Sequence, residues 1–207
     1  TSPNPNLGTG TTALNGNYTV TGAVGSGVNL LTNGDFELGN TGFGSTYAYN
    51  TGTYGRYVIT NNPSSVDATY FINGTDHTPS PGTKMMVVDG AETTGAIIWS
   101  QTIAVNPNTA YQFSYYAENI NRTGNTNYAK LQLYVNNVPV GPINTLSATT
   151  WSQYLCNVNS GTSTSLQLTL INTFIGGSGN DFGLDDMVFE QVYQVTSTVP
   201  LTVNPLV

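Results

Sequence analysis

Charge is what this 207-residue sequence has least of: 7% of its residues are Asp, Glu, Lys or Arg, against about 25% in an ordinary soluble domain. Only Arg56, Lys84, Arg122 and Lys130 are basic, and the net charge is -7. Four scattered cations cannot neutralise a phosphate backbone, which argues against nucleic acid as a partner. A single cysteine, Cys156, excludes an internal disulfide and a cysteine-rich zinc site. His77 is the only histidine; Ser-His-Asp chemistry would have to use it, and no GxSxG elbow is present. No apolar run approaches the roughly 18 residues that span a bilayer. The opening TSPNPNLG lacks the basic and apolar regions of a signal peptide and reads as a mature, processed chain. No stretch of ten residues carries a capped helical stripe, so helix content should be very low.

What fills the polar positions is Thr, Asn, Gly and Ser, and the periodicity is that of strands. Tyr111, Phe113, Tyr115 and Ala117 alternate with polar residues, as do Leu131, Leu133 and Val135, the pattern of half-buried strands. KMMVVDG, AIIWSQTIAV, WSQYLCNV, SLQLTLINTF and DFGLDDMVFEQV are further candidates, separated by NPNT, NRTGNTN and NSGTS. Eight or more strands at that spacing predict an all-β antiparallel sandwich. The length suits one such domain with extensions.

Two segments, NLLTNGDFELGNTGF (29–43) and DFGLDDMVFE (181–190), look like the first and last core strands of a jelly roll. With DHTPSPGTKMMVVDG, IIWSQTIAVNPNTAYQFSYYA and TTWSQYLCNV between them, they resemble in order and spacing the family 4, 9 and 22 carbohydrate-binding modules, a galactose-binding-like β-sandwich. The resemblance covers about residues 29–192 and is similar in particular to versions in bacterial surface proteins. It implies a secreted, extracellular chain, as does the Asn, Thr and Gly richness with almost no Lys.

The resemblance also implies a structural calcium, which in these modules joins a Glu near the first strand to an Asp near the last. The residues that map onto it are Glu37 and Asp185 or Asp186. A hard dication needs six to eight oxygens and two or three carboxylates. Strict alternation puts Phe182, Leu184, Asp186 and Val188 on one face and Gly183, Asp185, Met187 and Phe189 on the other. Both faces are partly apolar, so parity does not choose, and solvated carboxylates ending a strand are the alternative. Asp181 and Glu190 read as solvated. GGSGNDFGL also matches most of a calcium-binding toxin repeat, but one copy cannot form the stacked half-sites; a glycine-rich hairpin explains it more simply.

Glu37 and Asp186 might be read as a glycosidase pair, yet nothing in the sequence points to a cleft, and a non-catalytic chain is expected. His77 reads as a loop residue with a backbone hydrogen bond, and Cys156 as a small core residue. Sugar binding needs exposed aromatic faces. STYAYNTGTYGRYVIT concentrates Tyr47, Tyr49, Tyr54 and Tyr57 around Arg56 and is the best ligand candidate, with core or cross-strand packing as its alternative. Trp99 and Trp151 are expected in the core or at its rim.

The ends carry a different pattern. In residues 1–28, ALNGNYTVTGAV alternates; in 193–207, STVPLTVNPLV places Val199, Leu201 and Val203 on one side, followed by Leu206. Both ends read as extra strands. An apolar terminal strand with prolines suits addition to a neighbouring subunit, and such head-to-tail contacts generate filaments; packing on the chain's own sandwich is the alternative. Two functions follow: a structural or adhesive protein that assembles through its ends, or a free-standing carbohydrate-binding module. Asn17, Asn73 and Asn121 lie in Asn-x-Thr sequons.

Overall fold

The computed structural model describes residues 14–122, 124–176 and 178–203. Its strands are β1 (Leu14–Gly25), β2 (Ala48–Tyr49), β3 (Arg56–Thr60), β4 (Met85–Asp89), β5 (Ile97–Ala104), β6 (Ala110–Asn119), β7 (Lys130–Val135), β8 (Val138–Thr145), β9 (Ser152–Asn159), β10 (Ser165–Asn172) and β11 (Phe182–Val203). One sheet runs β2-β3-β4-β11-β6-β9 and the other β5-β10-β7-β8. They form a jelly-roll β-sandwich with added strands at both ends of the chain. The one helical segment among the described residues is a 3-10 turn at Pro63–Ser65.

Alternation builds the core as the sequence predicts. Tyr111, Phe113, Tyr115 and Ala117 of β6 meet Leu131 and Leu133 of β7 and Leu166, Leu168 and Leu170 of β10, with Trp99 fully buried among them. β4 is buried on both faces. Met86 and Val88 enter this core, while Met85 and Val87 join Phe71 and Ile120 in a second cluster, against which Val66, Ile72 and Trp151 pack. The connection after β3 therefore covers part of the outer face, stitched there by the Ile72 amide donating to the Ile120 carbonyl at 2.7 Å.

Two sequence expectations change. Residues 29–43 form turns, because Asn33 and Phe36 take positive φ (56° and 54°) and break any ladder. The segment still runs beside β11: the Leu30 amide donates to the Phe189 carbonyl and the Met187 amide to the Gly34 carbonyl. Strict alternation also fails in β11. Its pairing with β6 shifts between Asp185 and Val188, and Asp186 has φ 44°. This bulge resets the parity, so that Phe182, Leu184, Met187 and Phe189 all face the core. Asp185 is thereby placed on the outer face and Val188 leaves the inner one.

The described chain forms two compact units. The sandwich is Gly25–Gln191, and the ends make the other, in which β1 pairs with β11. β11 continues unbroken to Val203. The side chains of Val199, Leu201 and Val203, and Leu206 altogether, lie outside the described residues.

Leu168 is fully buried whereas Leu155 on β9 is 52% exposed. Leu168→Ala should cost about 2–5 kcal/mol in denaturant unfolding, and Leu155→Ala no more than about 0.5 kcal/mol. Equal losses would refute this assignment of faces.

Candidate functional site

The β11 bulge is held by the DHTPSPG loop. Asp185 has no exposed surface. Its Oδ2 accepts the backbone amides of His77 (2.8 Å) and Thr78 (3.2 Å), and its Oδ1 that of Asp186 (2.8 Å). Asp186 Oδ1 accepts the Thr78 hydroxyl at 2.9 Å, and Asp186 Oδ2 lies 2.7 Å from His77 Nδ1. The imidazole thus has a carboxylate partner, in place of the backbone partner expected from sequence. It also stacks on Tyr116, with ring centroids 3.6 Å apart, and meets the edge of Trp151 at 5.8 Å. Trp151 Nε1 donates to the Thr75 carbonyl at 3.0 Å.

Glu37 closes the same loop from its far end. Its Oε1 accepts the amides of Thr83 (2.7 Å) and Lys84 (2.6 Å), while Lys84 Nζ donates to the Glu37 carbonyl at 2.7 Å. Asp76 lies within the field of both Glu37 and Asp186. Burial above all, and then Glu37, push its carboxyl above the usual range, and its Oδ2 is buried without a partner. The calcium expectation fits this corner unevenly. Both Asp185 oxygens accept backbone amides at a fully buried position, and both Asp186 oxygens are likewise engaged, by Thr78 and His77. Glu37 and Asp186 both repel the Asp76 carboxyl, whose Oδ2 is orphaned, a charge pattern a dication relieves. Among the described residues no three His, Cys, Asp or Glu side chains converge as a formed metal site.

The tyrosine cluster divides. β2 and β3 pair in parallel, Ala48 opposite Arg56 and Tyr49 opposite Tyr57, and alternation turns Tyr57 inward and Arg56 outward. Tyr57 is buried and donates to Asn40 Oδ1 at 2.7 Å; Tyr47 is buried and its Oη accepts the Ala91 amide at 3.1 Å. Neither can offer a ring face to a ligand, which corrects that part of the sequence expectation. Tyr49 and Tyr54 are 48% and 44% exposed. Arg56, two residues after Tyr54, is half-buried, its Nε without a hydrogen-bond partner.

Three carboxyls are raised furthest, each in its own surroundings. Asp181, expected in solvent, is buried; it accepts the Gly90 amide at 3.0 Å and hydrogen-bonds the Asp89 carboxyl. Burial first, and then the Asp89 charge, push it up to about 7. Burial raises Asp185 and Glu118 to about 7 as well. Glu190 is half-buried and caps the Gly27 amide at 2.7 Å. Glu118, Tyr116, Trp151, Asp76 and Asp89 were not singled out as site residues from sequence. Alternation along β6 gives Tyr116 and Glu118 an outward direction, but only the cover over that face buries Glu118 and half-buries Tyr116.

Each of the three groups binds its proton more tightly folded than unfolded. Their stabilising contribution is complete below the unfolded value near pH 4 and is lost as pH rises towards 7. The melting temperature should therefore fall between pH 5 and pH 8, by about 2–4 °C for every 1 kcal/mol of linkage in a domain of this size. A flat or rising profile in calorimetry would contradict the burial of these carboxyls.

No protein-family model matches the chain, and no curated protein sequence does. Solved structures do. The tandem of family 22 carbohydrate-binding modules at the N-terminus of Xyn10C from Paenibacillus barcinonensis is 17% identical, with a TM-score of 0.53 over 81% of this chain and 46% of that one. The Stig cyclase Fisc from Fischerella sp. TAU is 13% identical, with a TM-score of 0.54 over 82% and 98%. The enzymatically active domain of tailspike protein 4 of bacteriophage CBA120 is 11% identical, with a TM-score of 0.50 over 79% and 21%. The chain thus spans under half of the tandem and about a fifth of the tailspike domain. At these identities the likeness concerns architecture: the chain has the jelly-roll β-sandwich fold that carbohydrate-binding modules share.

Proposed function

We propose that the chain is a non-catalytic, extracellular module that binds a polysaccharide through Tyr49 and Tyr54, with Arg56 orienting a hydroxyl. The observation that carries this reading is the exposure of Tyr49 and Tyr54, at 48% and 44%, at and just after β2 in a fold shared with carbohydrate-binding modules. Pyranose rings stack on such faces, and a few polar groups fix their orientation. The carboxylates supply no competing chemistry: Asp185 is sealed, Asp186 is engaged by His77 and Thr78, and Glu37 by two amides. The Tyr49→Ala/Tyr54→Ala variant should lose retention in polysaccharide affinity electrophoresis with an unchanged melting temperature. Undiminished retention would reject this surface.

A calcium ion at Glu37 and Asp186, as a brace for the DHTPSPG loop, belongs to the same proposal and is supported by the orphaned Oδ2 of Asp76, on which both charges bear. A chelator should then lower the melting temperature of the wild type and leave Glu37→Gln unaffected; identical melting of the wild type with and without chelator counts against the ion.

One observation favours a second reading, a structural or adhesive role through assembly. Every charged residue lies between Asp35 and Glu190, and the ends form a ribbon on which Val24, Tyr193 and Val195 are about half-exposed. Sheet edges in contact with water are ordinarily guarded by charge.

A further inference from the structure

Residues 49–55 carry both rings of the tyrosine surface, and the end of β4 holds them in place. Tyr54 and Gly55 take positive φ in succession, 51° and 68°. Glycine adopts that backbone freely, whereas a bulky aromatic residue is strained there and persists only where its surroundings hold it. The Tyr54 amide donates to Asp89 Oδ1 at 3.0 Å, and the Gly55 amide lies 3.0 and 3.2 Å from the Asp89 and Gly90 carbonyls. Gly55 passes the restraint on to β2, its carbonyl accepting the Ala48 amide at 3.0 Å.

The Asp89 carboxyl is itself in hydrogen-bond contact with that of Asp181. Two carboxyls in such contact need one proton between them, because an ionised carboxylate can only accept; once both are ionised they repel. Asp181 is the fixed partner. It is buried beside the start of β11, its Oδ1 accepts the Gly90 amide at 3.0 Å, and on the β6 side the uncharged Ile120 and Asn121 bond its carbonyl at 3.3 and 3.1 Å. Asp89 is half-buried, so relief comes by its moving away, which takes Oδ1 off the Tyr54 amide. Three other titratable groups face the pair. Both charges bear on the Tyr47 hydroxyl, Asp67 in the connection after β3 repels Asp89, and Arg56 stands opposite Asp89 in the β3–β4 pair. Among the described residues no base forms an ion pair with either carboxyl.

We propose that Asp89 and Asp181 form a proton-operated latch on the tyrosine surface: with a shared proton the pair holds Tyr54 in place for a sugar ring, and without it the loop is released and affinity falls. The proposal rests on the polysaccharide reading and names its regulation. In the closed state the Asp181 hydroxyl donates to the Asp89 carboxylate, which also accepts the Tyr54 amide. Burial first, and then the Asp89 charge, keep the Asp181 proton bound up to about pH 7. The latch is therefore closed in mild acid and opens as pH rises through neutrality. With one proton involved, affinity falls by at most about tenfold for each pH unit.

The test joins two measurements on the full chain at pH 5 and pH 8: affinity electrophoresis in soluble xylan, β-glucan and galactomannan, and amide hydrogen exchange by NMR, with each rate referred to its intrinsic value at that pH. The wild type should bind at least about threefold more weakly at pH 8, within the one-proton limit, and its Tyr54 and Gly55 amides should lose protection there. Asp181→Asn keeps an acceptor for Gly90 and a donor for Asp89 but has no proton to lose; it should show the same retention and the same protection at both pH values. Asp89→Asn replaces it if circular dichroism shows that Asp181→Asn is unfolded. Wild-type retention and protection that are equal at both pH values, or a variant that keeps the full wild-type pH dependence, overturn the latch and leave the polysaccharide surface standing. Protection that falls as expected, with no retention in any of the three polysaccharides at either pH, overturns the polysaccharide reading and leaves the latch as a property of the loop.

Discussion

The bulge in β11 is the constraint on which the molecule turns. One extra residue between Asp185 and Val188 lets a single strand serve two demands that strict alternation sets against each other. Phe182, Leu184, Met187 and Phe189 all fill the core, while Asp185 is aimed at the opposite face. There Asp185 collects three backbone amides and fastens the DHTPSPG loop. The fastened loop sets His77 on Tyr116 and against Trp151, and residues further along it meet Glu37. Without the bulge, either the apolar side chains or the carboxylate would face the wrong way.

The scarcity of charge has a corollary in where the remaining carboxyls sit. Of the 11 acidic residues in the sequence, Glu118, Asp181 and Asp185 are buried, and none of them is paired with a base. Burying a carboxylate is costly unless it is protonated or amply hydrogen-bonded. Asp185 uses amides, Asp181 uses an amide and a neighbouring carboxyl, and burial alone pushes Glu118 up to about 7. Such groups tie strand ends and loops together where a chain richer in Lys and Arg would use ion pairs.

The jelly roll was legible because its core strands obey a period of two, as in AYQFSYYAEN and SLQLTLIN, where inward positions needed only to be counted. The candidate site was legible in part. NGDFE and LDDM pointed to one corner through resemblance, and there the charges of Glu37 and Asp186 both bear on Asp76, which the sequence did not single out. What could not be read was anything depending on a second layer. Tyr47 and Tyr57 look like Tyr49 and Tyr54 along the chain, and only the parity of β3 and the placing of Tyr47 behind Ala91 separate core from surface. Asp181 looks solvated until Asp89 and Gly90 are brought against it. A bulge leaves no mark in a sequence beyond a residue tolerant of positive φ, and Asp186 is a modest signal of that kind.

The chain enters and leaves the sandwich at neighbouring points, where the Ser26 amide meets the Gln191 carbonyl at 2.8 Å. A pull transmitted through Ser26 and Gln191 would therefore load one corner of the sandwich and would not stretch it from one end to the other.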